Sequence, residues 1–230
     1  MNKIGFIGYG SMGSMLIRGF IETGQVRQEQ IVVTRKDKSR LVEIKETWPE
    51  ICIAQDAVEV IKNAECIFIC VKPLEYTNIL KEIKPFVYPH HHIVSITGTV
   101  AIKNIEKIVD CGITKVMPTI VSEAKEGISL VCHNSKVTEE ASRRIESLFG
   151  NISKVWRIDE KDFEFASEFT SCGPGLIAAV FKELVDAGLR HNDSFNNDQL
   201  TEMVLQTLYG TAKLMLEKKM DFRDVILRVA

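Results

Sequence analysis

The 230-residue sequence has no strong excess of charge of either sign. It contains 29 lysines and arginines against 31 aspartates and glutamates, which gives a formal net charge of −2. Because nucleic-acid-binding surfaces are usually strongly basic, this balance argues against nonspecific nucleic-acid binding. Proline is also scarce, with six residues, whereas 45% of the residues are hydrophobic. This composition predicts a packed globular protein and excludes a disordered or collagen-like chain.

Long apolar runs and closely paired cysteines are absent as well. The first apolar run turns glycine-rich within a few residues, so we expect neither a signal peptide nor a membrane-spanning segment. The six cysteines include no CxxC pair, and five of them lie in or beside strand-like apolar runs. Such positions are typical of buried, reduced thiols. We therefore predict a cytoplasmic protein without membrane segments.

Short β-branched runs alternate with amphipathic, helix-length segments through the first two thirds of the chain. This alternation predicts an α/β fold with a doubly wound parallel sheet. After about residue 159 only helical spacing remains, so we predict a sheet domain over residues 1–158 and an all-α domain over residues 159–230. The predicted strands cover residues 4–7, 31–34, 51–53, 66–71 and 92–96, and shorter runs at 114–117, 128–132 and 154–158 extend the sheet.

Two helices make up most of the predicted second domain. Apolar residues recur from Leu176 to Val185 at helical spacing, and Gly188 is expected to end this helix. A second helix is predicted over Asn197–Lys218. Because the apolar faces are wide for so few helices, we expect a partner subunit to cover part of them.

A glycine pattern follows the first predicted strand and opens the first predicted helix. Its sequence, Gly8-Tyr9-Gly10-Ser11-Met12-Gly13, matches the GxGxxG fingerprint of dinucleotide-binding βαβ units. Gly8 would permit the tight turn, Gly10 would leave room for the pyrophosphate, and Gly13 would let the helix pack on the strand. The N–H groups at the helix start would face the phosphates. We predict a Rossmann-type site formed by Gly8, Gly10, Ser11, Met12 and Gly13.

The end of the second predicted strand indicates which dinucleotide is bound. Sites that prefer NAD usually place an Asp or Glu there to bind the ribose 2′-hydroxyl. This chain has Thr34, Arg35 and Lys36 instead. A hydroxyl and two cations suit a 2′-phosphate, to which a guanidinium can donate two hydrogen bonds. NADP(H) is therefore the predicted cofactor in preference to NAD(H), and a solvated basic loop is the alternative interpretation.

Four further segments carry a family resemblance. Val71-Lys72-Pro73 ends the fourth predicted strand, the run 94–98 is similar to a Ser-x-x-Ala-Gly strand end, and the run 115–118 is similar to Arg-x-Met-Pro. Residues 167–175 are similar to Thr-x-x-Ser-Gly-Ser-Gly-Pro-Ala. Together they resemble the pyrroline-5-carboxylate reductase family over the whole chain. The details most resemble its divergent branch linked to late competence in Gram-positive bacteria.

The resemblance implies hydride transfer from NADPH to the C=N carbon of 1-pyrroline-5-carboxylate, which gives L-proline. Because a protonated imine is already electrophilic, the protein mainly has to align the two reactants, and we assign no general acid. The resemblance also implies a homodimer or higher homo-oligomer through the C-terminal helices. It adds Val71, Lys72, Pro73, Thr97 and Gly98 to the cofactor site, although Lys72 is equally well explained as a residue that caps a strand.

We expect the substrate carboxylate to bind where the first helix of the second domain begins. Pro174 suits the first turn of a helix, and the free N–H groups of Ser171, Cys172 and Gly173 could hold an anion. An ordinary helix cap is the alternative. The predicted substrate-binding residues are Ser167, Ser171, Cys172, Gly173, Met117 and Pro118. No metal site is predicted, because the histidines at 90–92 have no further ligands at suitable spacing.

Departures from the family pattern keep two other functions open. The family's Asn-Thr-Pro after Met-Pro is Thr119-Ile120-Val121 here, which is compatible with a reductase-like paralogue that has a regulatory or competence-related role and little turnover. The opening glycine pattern also resembles β-hydroxyacid dehydrogenases. Those enzymes carry a catalytic lysine early in a helix of the second domain, where this chain has apolar residues.

The C-terminal residues suggest a shortened chain. In the family, the pair that corresponds to Arg223-Asp224 is soon followed by a Gly-Gly-Thr-Thr motif and by further helices. By this resemblance, we expect the sequence to be a C-terminally truncated form of a longer protein.

Overall fold

One sheet organises the first of the two units into which the computed structural model divides the chain, Met1–Gly173 and Pro174–Ala230. The structure describes residues 3–38, 41–191 and 194–230. Each strand within these ranges agrees with a predicted run to within two residues at either end. The strands are β1 (Ile4–Ile7), β2 (Ile31–Thr34), β3 (Cys52–Ile53), β4 (Cys66–Ile69), β5 (His92–Ser95), β6 (Gly112–Met117), β7 (Ile128–His133) and β8 (Lys154–Arg157).

Helices connect the strands and form the second unit. Among the described residues, no helix is both long and apolar enough to span a bilayer. The first unit contains α1 (Ser11–Glu22), α2 (Leu41–Thr47), α3 (Ala57–Asn63), α4 (Pro73–Ile83), α5 (Ile102–Glu106), α6 (Glu139–Gly150) and α7 (Phe163–Thr170). The remaining helices are α8 (Gly173–His191), α9 (Asn197–Lys218) and α10 (Phe222–Val229).

The strand order is β3-β2-β1-β4-β5-β6-β7-β8, and β1 to β6 are parallel. This order confirms the predicted doubly wound, Rossmann-type sheet. The predicted parallel arrangement extends from β3 to β6 and ends there, because β7 runs antiparallel to β6 and β8 follows the direction of β7. The reason lies in residues 118–127, which hold only a short 3-10 turn and cannot form the crossover that parallel neighbours require.

Both faces of the sheet are covered, which explains why its central strands are apolar along their whole length. Every residue of β1, β2 and β4 is buried. On one face, Phe6 stacks on Phe68 with ring centroids 4.8 Å apart, and Phe20 of α1 meets Phe149 of α6 edge to face at 5.5 Å. Residues of α3, α4, α5 and α7 cover the opposite face.

The chain divides into its two compact units after Gly173. The segment after β8 stays with the sheet because Phe163 of α7 is buried in the second core cluster. Ala166 of the same helix also packs against that cluster. The change from alternating elements to helices therefore precedes the division between the packed units.

Helices α9 and α10 begin after residues that form standard caps. Asn196 forms a capping box with Gln199 at the start of α9, and Asp221 forms one with Asp224 at the start of α10. The predicted bounds of α9 are confirmed. The predicted stop at Gly188 is wrong, since α8 continues to His191. Instead, a Cβ at Gly188 would lie 3.1 Å from Leu200 of α9, so this glycine permits close helix packing.

Large apolar side chains remain exposed on the C-terminal helices. They include residues of α8, α9 and α10 that a lone helical unit would be expected to bury. The pattern agrees with the expectation that these faces pack against a partner. The exposed side chains include Leu176, Val180, Leu184, Met203, Leu205, Tyr209, Leu216, Phe222 and Ile226.

A chain of polar side chains crosses the antiparallel edge of the sheet. His92 Nε2 and Thr114 Oγ1 are 2.6 Å apart, and Thr114 Oγ1 lies 2.7 Å from His133 Nδ1. His133 Nε2 is in turn 3.0 Å from Glu146 Oε1, which also accepts a hydrogen bond from Arg157 Nε. These hydrogen bonds between side chains connect β5, β6, β7, α6 and β8.

His92, the first residue of this hydrogen-bonded series, makes the stability of the protein dependent on pH. Burial and the neighbouring His133 and Arg144 lower the pKa of His92 to about 4. In the unfolded chain it takes up a proton near its ordinary pKa of about 6.5. Because the unfolded state then binds more protons, the free energy of unfolding should fall by an amount on the order of 2 kcal/mol as the pH drops from about 6.5 to about 4.

Urea unfolding across this pH range measures the effect. The variant His92→Gln should lose part of the pH slope, whereas His90→Gln, which changes an exposed neighbour, should keep the slope of the parent protein. Identical slopes for the parent protein and His92→Gln would contradict the assignment.

Candidate functional site

A cleft of about 720 Å³ opens where the carboxyl ends of β1, β2 and β4 meet. The chain leaves β1 toward β2 on one side and returns to β4 on the other side, which makes this position the switch point of the sheet. Doubly wound sheets bind their ligands at such points. The cleft is lined by the first glycines of the fingerprint, the loops that follow β2, β3 and β4, and one face of α4.

The fingerprint glycines occupy positions that a side chain would disturb in different ways. Gly8 has φ +106°, and a Cβ there would overlap the carbonyl of Cys70. A Cβ at Gly13 would overlap the carbonyl of Gly8, so helix α1 contacts the turn directly. At Gly10, by contrast, none of the described residues comes within 4 Å of an added Cβ. Two glycines are therefore required by the fold, and Gly10 borders open space.

The first turn of α1 presents backbone N–H groups beside this open space. Gly10 is the N-cap residue, and as a glycine it has no side chain to satisfy them. Ser14 is the first residue whose N–H donates back along the helix, to the carbonyl of Gly10 at 2.9 Å. The N–H groups of Ser11, Met12 and Gly13 precede the helical ladder, and the helix dipole favours an anion next to them.

The three residues predicted to bind a 2′-phosphate differ in their surroundings. Thr34 is buried, and its hydroxyl donates to the carbonyl of Ala54 at 3.0 Å. This hydroxyl therefore holds β2 to the chain after β3 and has no proton left to donate to a phosphate. Arg35 Nη1 donates to the carbonyl of Tyr9 at 2.9 Å, which places the guanidinium beside the glycine turn. Lys36 has a side chain that is 92% exposed and also lines the cleft.

One face of α4 lines the cleft opposite the two cations. Its contribution was not predicted from the sequence, although the spacing of Glu75, Asn78, Ile79 and Glu82 at i, i+3, i+4 and i+7 is the signal of a single helix face. Glu75 Oε1 lies 3.6 Å from Lys36 Nζ. Because both side chains are well exposed, this ion pair is weak and can exchange with a bound anion.

The loops after β4 and β5 are joined close to the cleft. Lys72 is the N-cap residue of α4 and Pro73 its first residue, a position that suits proline. Thr97 Oγ1 donates to the carbonyl of Val71 at 3.4 Å. The side-chain end of Met117 lies against Gly98, where an added Cβ would overlap it. The predicted residues that follow β4, β5 and β6 are thus neighbours.

The predicted substrate loop contacts the end of β6. Ser171 Oγ donates to the carbonyl of Pro118 at 3.0 Å. The expectation of free amides is wrong in part, because the N–H groups of Ser171 and Cys172 both donate to the carbonyl of Ser167, at 2.9 and 3.0 Å. The tight turn between α7 and α8 uses them. The Ser167 hydroxyl donates to the carbonyl of Glu164, and Gly173 is buried where α8 begins.

The consecutive histidines have protein partners. His91 contacts the amide of Tyr88 through Nδ1 and the carbonyl of Ile61 through Nε2, and His92 contacts Thr114. Across residues 3–38, 41–191 and 194–230, no three metal-ligating side chains come together. The ring nitrogens of His91 and His92 therefore form hydrogen bonds within the fold.

Two family models match the chain. Residues 3–99 match the model described as NADP oxidoreductase coenzyme F420-dependent, which covers the glycine turn and the cleft. Residues 160–230 match the model described as pyrroline-5-carboxylate reductase dimerisation. The second match begins close to the predicted change from sheet to helices.

Curated relatives and a solved structure are similar over nearly the whole chain. Pyrroline-5-carboxylate reductase 3 of Bacillus subtilis (strain 168) is 36% identical over 232 residues, covering 100% of this chain and 84% of the relative. ComE operon protein 4 of the same organism is 31% identical over 213 residues, covering 93% and 78%. The crystal structure of Plasmodium falciparum pyrroline carboxylate reductase with NADP bound shares the fold, with a TM-score of 0.89 at 23% identity over 100% of this chain and 84% of that one.

Gly10 and Gly13 offer a matched pair of substitutions in one loop. Gly10→Ala should leave the free energy of unfolding within about 0.5 kcal/mol of the parent value, because the new methyl group meets open space. It should weaken NADPH binding about tenfold by filling the position next to the phosphates. Gly13→Ala should cost about 1–3 kcal/mol of stability, since its methyl group meets the Gly8 carbonyl.

Urea unfolding and fluorescence titration with NADPH separate the two effects. Equal losses of stability in both variants, or unchanged NADPH affinity in Gly10→Ala, would show that Gly10 does not border the phosphate site.

Proposed function

The chain belongs to the pyrroline-5-carboxylate reductase family, and from this membership we propose that it reduces 1-pyrroline-5-carboxylate to L-proline with a nicotinamide dinucleotide. The observation that carries the proposal is 36% identity over the full length of the chain to a relative of that name. The switch-point cleft and its glycine turn support the proposal independently.

The cofactor fits the described cleft. Gly10 leaves the space and Ser11, Met12 and Gly13 provide the N–H groups that a pyrophosphate requires. Gly8 and Gly13 shape the turn, and Val71, Lys72, Pro73, Thr97 and Gly98 would surround the nicotinamide end. When bound, the reduced nicotinamide supplies the hydride.

We assign a preference for NADP(H) over NAD(H) to Arg35 and Lys36. Both line the cleft beyond the end of β2, where the ribose of the adenosine half binds in this type of fold. The Arg35 guanidinium keeps further N–H donors besides the one used by Tyr9 and suits a doubly charged phosphate. Thr34 is left out of this set because its hydroxyl is bonded to Ala54.

The substrate is proposed to lie near the ends of β5 and β6. Met117 and Pro118 form one side, and the turn of Ser167, Ser171, Cys172 and Gly173 forms the other. The contact from Ser171 to Pro118 supports this arrangement. Of the three amides first expected to hold the carboxylate, only that of Gly173 remains a candidate, since the other two donate to Ser167.

The chain's own residues have three tasks in this reaction. They hold the dinucleotide through the glycine turn, they hold the imino acid by its carboxylate, and they align the reacting carbon with the nicotinamide ring. Alignment of this kind is worth several orders of magnitude in rate. No general acid is assigned, because the imine already carries a proton when it is reactive.

The match of residues 160–230 to the dimerisation model indicates that the C-terminal helices mediate oligomerisation. We propose a homodimer or a higher homo-oligomer in the cytoplasm. Residues 1–158 would then act as the NADP(H)-binding domain and residues 159–230 as the substrate and dimerisation domain. The exposed apolar side chains of α8, α9 and α10 support the second assignment.

A second function is favoured by one specific observation. ComE operon protein 4 is 31% identical to this chain, so the chain also resembles a relative that is not named as a reductase. A paralogue that binds NADP(H) with little turnover is compatible with the replaced residues Thr119, Ile120 and Val121.

An activity assay distinguishes these functions. The purified protein should oxidise NADPH when 1-pyrroline-5-carboxylate is added, and should reduce NADP+ with L-proline at alkaline pH. NADPH binding without turnover in either direction would favour the paralogue, and turnover of a 3-hydroxy acid instead would indicate a β-hydroxyacid dehydrogenase. Absorbance at the nicotinamide band follows all three reactions.

The variant Arg35→Met tests the cofactor preference. Loss of a charge-assisted hydrogen bond should weaken NADPH binding about tenfold or more, while the NADH affinity stays within about twofold. Any distortion caused by losing the bond to Tyr9 would affect both dinucleotides, so the ratio of the two Kd values isolates the 2′-phosphate. Arg143→Met removes an exposed arginine of α6 and serves as the control. A parent protein that binds NADH more tightly than NADPH would refute the preference.

A further inference from the structure

One lysine of the sheet is buried and pairs with a carboxylate whose side chain is 30% exposed. Lys115 lies in the middle of β6, between Ser95 of β5 and Cys132 of β7, and its side chain is only 4% exposed. Its Nζ is 3.2 Å from Glu160 Oε1. Lysine is rarely found at a buried position of a strand. An apolar side chain of similar size could occupy the same position. The sequence therefore contains an ion pair that packing alone does not require.

The same carboxylate oxygen holds a third segment of the chain. Glu160 Oε1 accepts a hydrogen bond from the N–H of Ile102 at 2.8 Å, and Ile102 is the first residue of α5. The loop before it, residues 97–101, begins with two residues proposed to surround the nicotinamide. Glu160 thus caps α5 from a distant part of the sequence, and its charge is well placed at a helix start.

Each segment joined by the pair leads directly to a part of the proposed site. Lys115 precedes Met117 and Pro118 on β6, and Ile102 follows the loop 97–101. Glu160 precedes α7, which leads to the turn at residues 171–173. The Lys115 ammonium also lies 5.1 Å from the ring centroid of Phe163, the buried first residue of α7. Near the far end of α7, Ser171 returns to Pro118.

We propose that Lys115 and Glu160 form a positioning pair. The pair fixes the substrate turn (residues 171–173) and the nicotinamide loop (residues 97–101) relative to the end of β6. The proposal rests on the reductase function proposed above. Neither residue needs to touch the imino acid. Their role is to hold the end of β6, the start of α5 and the start of α7 next to one another, because Glu160 contacts both the Lys115 ammonium and the N–H of Ile102.

The charge of Lys115 can be removed with little change in side-chain volume. Lys115→Met should raise the KM for 1-pyrroline-5-carboxylate about tenfold, because the turn that holds the carboxylate is no longer fixed. The Kd for NADPH should rise by much less than the KM, because the glycine turn and Arg35, which hold the rest of the dinucleotide, belong to other loops. Lys115→Arg keeps the charge and should restore most of the lost affinity for the imino acid.

The partner residue provides the double-mutant test. Glu160→Gln keeps an oxygen for the Ile102 N–H but loses the charge, and it should show the same KM effect. If the two residues act as a pair, the double variant Lys115→Met/Glu160→Gln should be no worse than the poorer single variant. Arg143→Met, which breaks the exposed pair with Glu139, is the control and should keep the parent KM.

Hydrogen exchange gives a readout that does not depend on turnover. In Lys115→Met, amides of residues 98–102 and 171–173 should exchange faster than in the parent protein, while those of β1 and β4 should not change. If the parent protein shows no turnover, the proposed function fails, whereas the exchange data still test the pair. A lower Tm with unchanged KM and unchanged exchange in these segments would overturn the positioning role. If Lys115→Met does not fold, the KM and the hydrogen exchange of Glu160→Gln test the positioning role instead.

Discussion

The close approach of helix α1 to the ends of β1 and β4 is the constraint on which the rest of the first unit depends. At this point the backbone of Gly8 lies against the carbonyl of Cys70, and Gly13 lies against the carbonyl of Gly8. No side chain fits in either place. Because the helix can come so near, its N–H groups reach the cleft and its apolar face buries Phe20 against Phe68. The same contact thus serves both the core and the anion site.

Electrostatics in the cleft are more balanced than the basic run after β2 suggests. Arg35 and Lys36 line the same cleft as Glu75 and Glu82 of α4, and Glu75 lies 3.6 Å from Lys36. A phosphate bound there would compete with Glu75 for Lys36. Exposed ion pairs are weak, so this competition is mild, and affinity rests mainly on the backbone of the glycine turn. The proposed substrate side differs, because there the carboxylate of Glu160 pairs with a buried lysine and accepts a hydrogen bond from Ile102.

Sequence patterns predicted the elements well because they depend on local periodicity. Each described strand of the sheet agrees with a predicted run to within two residues at either end, and α9 has the predicted bounds. The errors occurred where packing partners decide the outcome. Gly188 looked like a helix stop, but Leu200 makes it a close-packing position, and the short turn after β6 reversed the last strands. Lys115 belongs to the run 115–118 that resembles the family motif, and a charge within an apolar strand is the sequence signal of its buried ion pair.

The sequence by itself determined the order of the elements, the glycine turn with its dinucleotide chemistry, and the family resemblance, since all of these are properties of neighbouring residues. Only the tertiary structure decided which polar groups remain able to bind a ligand. Thr34 is bonded to Ala54, and the amides of Ser171 and Cys172 are bonded to Ser167, whereas Gly10 borders open space. The physical reason is that a hydrogen bond is satisfied at a distance of about 3 Å, and the fold, not the order of residues, determines which atoms come that close.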